Sequence, residues 1–301
     1  MTKVLITGAN SFIGTNFQEF SQYTSIEEIS LFDNKAEDIE FDKYDVVLHL
    51  AAIVHQSKKI NTEKYFSVNR DLCLKVAEQA KISGVRQFIF LSTVKVYGKY
   101  AAGSDPWNED SQCNPEDAYG SSKYEAELGL KKLEDPDFIV SIVRTPIVYG
   151  PGVVANILKL IKLVENFPIL PFLHVNNNRH YTYVENLVGF IDRIIETKAS
   201  GTFIAMDDKA LSTTELVLCL SGLLKRKPIL FRFSDIIIKA GITLMPVIFE
   251  RLFMSFYLDN SKTKRLLNYS PMFSTEEGLG KMISSYMDSK KQGVLINKNL
   301  K

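Results

Sequence analysis

A tyrosine and a lysine four residues apart have the residue types and the spacing of a proton-transfer pair. Tyr119 and Lys123 occur in the segment Tyr-Gly-Ser-Ser-Lys, and residues at i and i+4 lie on the same face of a helix. A phenol with an ordinary pKa near ~10 is a poor base at neutral pH. A nearby ammonium would stabilise the phenolate and lower that pKa toward the working pH. The pair alone also fits an ordinary amphipathic helix, so its interpretation depends on the neighbouring segments.

A hydroxyl group upstream supplies a third reactive side chain. The run Gln87–Ser92 is rich in apolar and aromatic residues and predicts a buried strand, with Thr93 directly after it. Ligands gather at the carboxyl ends of parallel strands. A hydroxyl at that position can hydrogen-bond the substrate oxygen that gains or loses a proton. Thr93, Tyr119 and Lys123 are therefore the predicted catalytic residues.

A glycine-containing segment lies between the first predicted strand and the first predicted helix. It has the sequence Thr-Gly-Ala-Asn-Ser-Phe-Ile-Gly over residues 7–14, with serine in place of the usual middle glycine. Its first glycine permits a tight turn, its last permits close helix–strand packing, and the helix N-terminus suits a pyrophosphate. An ordinary strand–turn–helix is the alternative. The predicted dinucleotide-binding residues are Gly8, Asn10, Ser11, Phe12, Ile13 and Gly14.

An acidic residue follows at the spacing of a ribose ligand. Asp33 lies 19 residues after Gly14, at the predicted end of the second strand. A carboxylate there hydrogen-bonds the adenosine ribose and repels a 2′-phosphate, which favours NAD over NADP. Asp33 could instead form a turn with Asn34. Asp38 and Ile39 are placed against the adenine edge.

Strands and helices alternate through the first half of the chain. The predicted strands are Lys3–Thr7, Glu28–Phe32, Val46–Leu50, Gln87–Ser92 and Phe138–Val143, and the predicted helices are Ile13–Ser21, Glu63–Lys81 and Tyr119–Leu133. This alternation predicts an α/β fold, a Rossmann-type doubly wound parallel sheet. The connection from Phe32 to Val46 is too short for the usual crossover helix.

The second half departs from that alternation and predicts a smaller, interleaved C-terminal substrate lobe. Later elements are helices at Val154–Glu165 and Val184–Thr197, a strand beginning at Arg179, and a strand at Thr202–Ala205. We expect a NAD-binding domain over residues 1–150, to which residues 180–200 return. The substrate-binding lobe then comprises residues 151–179 and 201–301.

Seven segments together form a family signature. They are TGANSFIG (7–14), DN (33–34), DVVLHLAA (45–52), Asn69 in the following helix, STVKVYG (92–98), YGSSK (119–123) and VRTPIVYGPG (143–152). On these segments the chain resembles the nucleotide-sugar epimerase/dehydratase family of extended short-chain dehydrogenases/reductases, over nearly its whole length. Within that family it is most similar to bacterial polysaccharide-cluster UDP-sugar 4-epimerases and 4-ketoreductases.

The resemblance implies further site residues. Along the NAD site they are Leu50, Ala51, Ala52, Asn69 and Pro146, and Lys123 would also hold the nicotinamide ribose. On the diphosphate of a nucleotide-linked substrate they are Asn156 and Arg179, with Arg251 as a possible second clamp whose spacing departs from the family pattern. A surface ion pair is the alternative for either arginine. Family dehydratases carry Asp-Glu directly after the catalytic threonine, whereas this chain has Val94-Lys95, which argues against a dehydratase.

The predicted activity is NAD-dependent oxidoreduction at C4 of a UDP-linked hexose or N-acetylhexosamine. Reversible 4-epimerisation in surface polysaccharide precursor synthesis is preferred, with Tyr119 handling the hydroxyl proton. One alternative is a 4-ketoreductase of a UDP-4-keto-6-deoxy sugar that consumes NAD(P)H. The other is a non-catalytic nucleotide-binding regulatory protein that keeps only the fold. A lipid-diphosphate carrier in place of UDP stays open, and the resemblance implies a homodimer.

Composition narrows the remaining possibilities. Of 301 residues, 36 are Lys or Arg and 35 are Asp or Glu. The chain is therefore nearly neutral, and its net charge does not favour binding to nucleic acid. Three cysteines without motif spacing indicate free thiols in a reducing, cytoplasmic compartment, and no histidines have metal-ligand spacing. The apolar stretch Ile229–Leu258 contains charged residues, which argues against a membrane span. Contact of that stretch with a membrane surface remains an alternative to packing in the core.

Overall fold

A six-stranded parallel sheet forms the centre of the molecule. The computed structural model describes residues 1–54, 61–99, 105–153 and 156–292. The strands are β1 (Val4–Thr7), β2 (Ile26–Ile29), β3 (Val46–His49), β4 (Gln87–Thr93), β5 (Ile139–Thr145), β6 (Ile147–Tyr149), β7 (Ile169–Leu170), β8 (Tyr181–Tyr183), β9 (Gly201–Ile204) and β10 (Ile229–Leu230). The large sheet has the order β2-β1-β3-β4-β5-β9, and two short parallel pairs, β6-β8 and β7-β10, lie outside it.

Helices cover the sheet and build the second lobe. They are α1 (Phe12–Phe20), α2 (Thr62–Phe66), α3 (Cys73–Ile82), α4 (Ala118–Leu133), α5 (Asn156–Asn166), α6 (Val184–Thr197), α7 (Thr213–Leu223), α8 (Asp235–Leu244), α9 (Pro246–Phe253), α10 (Ser261–Leu267) and α11 (Thr275–Lys291). Short 3₁₀ turns occur at Ala36–Asp38, Phe41–Lys43 and Val94–Tyr97, and a π-helical segment at Ser67–Leu72 joins α2 to α3. None of the described helices is both long and apolar enough to cross a membrane.

Both faces of the large sheet are buried. Alternate residues along β1 point to opposite faces, with Leu5 in a core shared with α3 and α4. Val4 and Ile6 enter the core on the other face, shared with α1 and α6. This arrangement explains why the strands read as continuous apolar runs. The predicted α/β class and Rossmann-type sheet are confirmed.

The second strand differs from its prediction. We expected it at Glu28–Phe32, but β2 covers Ile26–Ile29, with Ile29 opposite Thr7 of β1. The backbone N–H groups of Gly8 and Ala9 both donate to the Ile29 carbonyl, so the turn after β1 fixes where pairing ends. Residues 31–34 form a turn. Asp33 therefore lies four residues beyond the strand instead of at its end.

The helix predicted over Glu63–Lys81 is also interrupted. It divides into α2, the π-helical segment and α3, because the chain takes a wider turn around Asn69. The connection between β2 and β3 carries only the two 3₁₀ turns, as its length predicted. The chain passes from β2 to β3 on the opposite side of β1, which makes the carboxyl end of β1 a topological switch point. For the helix predicted over Val154–Glu165, Val154 lies outside the described residues and α5 begins at Asn156.

A second core lies around β6, β8 and helices α5, α7 and α11. Its centre is a buried tyrosine–carboxylate network: the Tyr149 hydroxyl donates to Asp207 at 2.8 Å, and Asn186 at the start of α6 donates to the same carboxylate at 2.8 Å. The backbone N–H of Tyr183 also donates to Asp207. These bonds connect α6, which packs on the large sheet, with the second core. The domain boundaries stay a prediction.

Candidate active site

The carboxyl end of β4 and the first turn of α4 bring the predicted catalytic hydroxyls together. Asp117 caps α4 by accepting from the Gly120 N–H at 2.7 Å, which places Tyr119 in the first helical turn. Tyr119 is half-buried, and its phenol lies within hydrogen-bonding reach of the Thr93 hydroxyl. A buried strand and a capped helix thus hold the two groups in contact.

The pKa values of the pair differ from the simple expectation. Burial raises the pKa of the Tyr119 phenol to about 12, and the carboxylate of Asp117 adds to the rise, whereas the bond to Thr93 opposes it. Burial lowers the pKa of the Lys123 ammonium to about 8. Its Nζ lies 4.1 Å from the centroid of the Phe90 ring, and Lys123 is only 2% exposed. Burial thus shifts both groups toward their neutral forms, although a pKa of about 8 leaves the Lys123 ammonium predominant at pH 7. The expected lowering of the phenol pKa is not present.

A second lysine, Lys95, lies near the phenol ring of Tyr119, which the sequence did not suggest. Lys95 Nζ is 6.0 Å from the centroid of the Tyr119 ring, and it pairs with the capping carboxylate of Asp117. The sequence indicated only that Lys95 stands where a family dehydratase has an acidic residue. Its position two residues after Thr93, in a turn at the end of the same strand, was the available signal.

The loop after β1 has the geometry of a phosphate cradle. Gly8 has a φ of +112°, and a Cβ there would lie 2.7 Å from the backbone N of Ala51. Ser11 caps α1 by accepting from the Gly14 N–H at 3.1 Å, and Asn10 also has a positive φ. The close approach of the loop to the end of β3 leaves the amino end of α1 as an anion site. These residues fit a dinucleotide.

Asn69 connects the end of β3 with the catalytic helix. Its side chain exchanges two hydrogen bonds with the backbone of Ile53, at 2.8 and 3.0 Å, and donates to the Ser122 hydroxyl at 3.1 Å. The Ser122 hydroxyl donates in turn to the Tyr119 carbonyl. Asn69 is fully buried. The amide thus holds the residue that follows Leu50, Ala51 and Ala52 against α4.

The residues predicted around the adenosine are mostly exposed. Asp33 lies in the exposed turn after β2, where the Asn34 side chain donates to the Ser30 carbonyl at 2.9 Å. Asp38 is exposed in its 3₁₀ turn, whereas Ile39 packs against the sheet core. The structure therefore contains the turn that was the alternative for Asp33. A ribose contact of Asp33 stays a prediction.

A buried ion pair supports the floor of the site. Glu127, one turn beyond Lys123 on α4, binds Arg144 of β5 at 2.6 Å, and both side chains are nearly inaccessible. Glu127 also accepts from Ser92, next to Thr93. Pro146 follows two residues after Arg144, between β5 and β6. Sequence reasoning missed this pair, because the spacing between a helix residue and a strand residue carries no contact signal.

Two arginines converge near the catalytic helix. Arg179 donates to the Met254 carbonyl at 2.8 Å, which places it beside the end of α9. Burial lowers the pKa of Arg179 and so does the charge of Arg251, while burial also lowers the pKa of Arg251. Asp117 interacts with both Arg251 and Tyr119. Two partly desolvated guanidiniums of like charge favour an anion between them. Asn156 is the exposed first residue of α5, and its role stays a prediction.

Aromatic rings pack around Trp107. Trp107, which sequence could assign either to covering the site or to packing, stacks on Tyr97 with ring centroids 5.6 Å apart. It also contacts Phe256 in a tilted arrangement, with ring centroids 4.7 Å apart. In the described ranges, no three His, Cys, Asp or Glu side chains gather as a metal ion would require.

Comparison with known proteins assigns residues 4–204 to the NAD dependent epimerase/dehydratase family. The chain belongs to this family. A UDP-glucose 4-epimerase of Vibrio cholerae is 31% identical over 95% of this chain and 96% of its own length. An N-acetyl-α-D-glucosaminyl-diphospho-ditrans,octacis-undecaprenol 4-epimerase of Escherichia coli O157:H7 is 27% identical over 66% of this chain and 64% of its own length.

Solved structures agree with the fold. The UDP-glucuronic acid 4-epimerase from Bacillus cereus, in complex with NAD, matches with a TM-score of 0.75 at 22% identity, over 95% of this chain and 99% of that structure. The predicted family, its NAD dependence and its nucleotide-sugar enzyme class are confirmed. The loop at Gly8–Gly14 is the part of this chain that fits the pyrophosphate.

Proposed function

We propose that this chain catalyses 4-epimerisation of a UDP-linked hexose or N-acetylhexosamine used as a surface polysaccharide precursor. The observation that carries the proposal is the Thr93–Tyr119 hydroxyl pair, with Arg179 and Arg251 converging beside the same helix. A proton-transfer group and a diphosphate clamp at one place suit a nucleotide sugar. The Vibrio cholerae relative, aligned over nearly the full length of both chains, supports C4 as the reacting carbon.

Each of the proposed site residues has a separate chemical role. Bound NAD supplies reversible hydride transfer. Arg179 and Arg251 hold the diphosphate, which fixes the sugar relative to α4. Thr93 orients the C4 oxygen, and Tyr119 takes the proton of the hydroxyl and later returns it. Because burial raises the pKa of the phenol to about 12, Tyr119 is protonated at neutral pH and can donate only to a stronger base, such as the alkoxide that forms at C4. Acting as a base requires added positive charge, to which the Lys95 ammonium, 6.0 Å from the centroid of the phenol ring, and the nicotinamide ring of bound NAD would contribute.

The decisive experiment supplies purified protein with UDP-glucose and UDP-N-acetylglucosamine and adds no cofactor. We expect conversion to the galacto isomers, followed by NMR. Failure to convert, together with NADH oxidation on a UDP-4-keto-6-deoxy sugar, would instead establish the ketoreductase. Lack of turnover in both assays, with nucleotide still bound, would support the regulatory alternative.

Tyr119→Phe separates an enzyme from a binding protein. We expect kcat to fall by about a hundredfold to ten-thousandfold, because the proton then has no positioned carrier. Tyr124→Phe, on the same helix and also half-buried, is the matched control and should retain activity. If Tyr119→Phe is fully active, Tyr119 is not the proton carrier and this mechanism is wrong.

A lipid-diphosphate carrier is the second candidate for the substrate. The Escherichia coli relative has such a substrate in its name, and a diphosphate is common to both carriers. In this chain Arg251 lies on α9, the second helix of an exposed apolar helical hairpin. Parallel assays with UDP-N-acetylglucosamine and a polyprenyl-diphosphate N-acetylglucosamine in detergent distinguish the two. Arg251→Met should raise KM for whichever carrier is the substrate.

A further inference from the structure

The helices α8 and α9 carry an unusual concentration of exposed apolar side chains. Residues exposed by about half or more are Ile229, Ile236, Ile237, Leu244, Met245, Val247 and Ile248. We call these seven residues the hairpin surface. Ile236 and Leu244 are each 80% exposed. Adjacent exposed apolar residues of this kind mark an interaction site more often than isolated ones do.

The exposed side chains follow one stripe of the first helix. Ile236, Ala240 and Leu244 recur every four residues along α8, and all three are exposed, so they line a single face. Ile229 extends the surface at the short β7-β10 pair, where it lies opposite Ile169. Ile169 is 55% exposed. The apolar face thus continues beyond the two helices.

The hairpin is nevertheless packed against the rest of the lobe. Phe233, Phe249 and Phe253 pack together beneath it, with ring centroids 5.4 to 6.4 Å apart. A Cβ at Gly241 would lie 2.2 Å from the Phe249 ring, so the glycine permits close contact between α8 and α9. The inner face therefore resembles a folded core. The outer face is held in place and left open to its surroundings.

The charges around the hairpin surface are mostly positive. Residues 222–249 contain five basic side chains and one carboxylate, whereas the whole chain is nearly neutral. Lys225, Arg226 and Lys227 form an exposed run directly before the apolar residues, and Lys239 is exposed on α8. Basic residues that flank an exposed apolar helix face are complementary to an anionic lipid surface, where each contributes to binding.

We propose that the hairpin surface docks this protein on the anionic face of a lipid bilayer. The apolar side chains enter the boundary between headgroups and acyl chains, and the basic run contacts lipid phosphates. The helices lie on the bilayer and do not cross it. A second copy of this chain is the other candidate occupant, but the exposed basic run beside the apolar residues is complementary to an anionic surface and not to another basic run, which favours lipid as the occupant.

Docking also determines how the active site faces the membrane. Arg251 lies in the last turn of α9, and its charge acts on Arg179. Arg179 donates to the Met254 carbonyl, directly after α9. The residue proposed to bind the diphosphate, Arg251, thus lies on the same helix as part of the hairpin surface. The docking proposal does not depend on the reaction, since it concerns side chains that the proposed chemistry does not use.

The test is flotation of the purified full-length protein with vesicles. One set contains phosphatidylcholine alone, and the other also contains phosphatidylglycerol. We expect binding to the phosphatidylglycerol vesicles that weakens as salt rises. Ile236→Ser with Leu244→Ser should weaken binding about a hundredfold, and K225Q/R226Q/K227Q should weaken it by a similar factor. Both variants should keep activity on a soluble UDP-sugar, and circular dichroism checks their folding.

Two matched controls isolate the surface. Ile82→Ser removes an apolar side chain that is 78% exposed on α3, and K131Q/K132Q removes two exposed charges on α4. Both should bind vesicles as the unaltered chain does. The proposal is overturned if the folded protein fails to bind phosphatidylglycerol vesicles, or if the controls lose as much binding as the hairpin variants. It is also overturned if Ile236→Ser with Leu244→Ser converts a dimer to a monomer in sedimentation, because the occupant is then a second copy.

Discussion

The active site and the hairpin surface place side chains in opposite environments. At the active site a lysine is buried almost completely among apolar rings. On the hairpin, isoleucine and leucine side chains face outward over a packed aromatic layer. Each arrangement is unfavourable for an isolated folded chain, and each is held by regular, well-packed elements. The comparison indicates that both regions are maintained for a ligand, since neither increases stability.

The largest effect should come from the ion pair beneath the active site. Glu127→Gln leaves the charge of Arg144 buried without its partner, which should lower the free energy of unfolding by about 3 to 5 kcal/mol. Denaturant unfolding measures it. The double variant Glu127→Leu with Arg144→Met is the control, because removing both charges should recover most of the loss. A loss as large in the double variant as in the single one would show that shape, and not charge, decides stability there.

The buried ammonium of Lys123 should destabilise the folded protein at pH values below the pKa of this group. Its pKa falls from 10.5 in the unfolded chain to about 8 in the folded one, so between those values the unfolded chain binds more protons and stability rises with pH. Lys123→Met should therefore stabilise the NAD-free protein by about 3 kcal/mol at pH 7. The advantage should disappear above pH 10.5. Thermal unfolding across this pH range measures it, and an advantage that does not change with pH would contradict the explanation.

The Asn69 amide should have an intermediate effect. Asn69→Ala leaves the backbone groups of Ile53 without their partners, which should cost about 1 to 3 kcal/mol of stability. It should also lower activity, because the Ser122–Tyr119 connection is loosened. Asn166→Ala, which removes an exposed amide that bonds only within its own helix, is the comparison. Equal losses in the two variants would exclude a special role for Asn69.

The smallest effect is expected on the hairpin. Ile236→Ser should change the free energy of unfolding by less than about 0.5 kcal/mol, because the side chain is already exposed in the folded chain. Ile89→Ser, in the centre of β4 and fully buried, supplies the contrast with a loss of several kcal/mol. A large loss at Ile236 would mean that the hairpin surface packs against another part of the protein in solution.

The sequence predicted those features that depend on local patterns. Alternation of apolar strands and helices identified the parallel sheet, and the Tyr119–Lys123 spacing placed both residues on one helix. The predicted position of β2 was wrong because the turn after β1 decides where the pairing with β1 ends. No pattern within residues 26–33 shows this. The break around Asn69 was missed for a similar reason, since a π-helical turn follows from tertiary hydrogen bonds.

Contacts between distant segments were harder to predict. The convergence of Arg179 with Arg251 depends on how α9 folds back onto the strand region before β8, and the spacing of Arg251 gave no clear signal. To predict that Lys95 lies near the phenol ring, one would have to know where the capping residue Asp117 lies. Conversely, the apolar composition of residues 229–258 left core packing and membrane contact open, because composition does not reveal which face of a helix is exposed.

The π-helical segment limits how the length of this chain can change over generations. A turn with i→i+5 bonding holds one residue more than a regular turn. Deleting a single residue within Ser67–Leu72 would restore regular winding with α2 and α3 still nearly in register, but it would remove the wide turn that carries Asn69. The Asn69 amide would then leave Ile53 and Ser122. Length changes should therefore be tolerated far more readily in the exposed turn after β2 than here, where the loss of one residue would remove the Asn69 contacts.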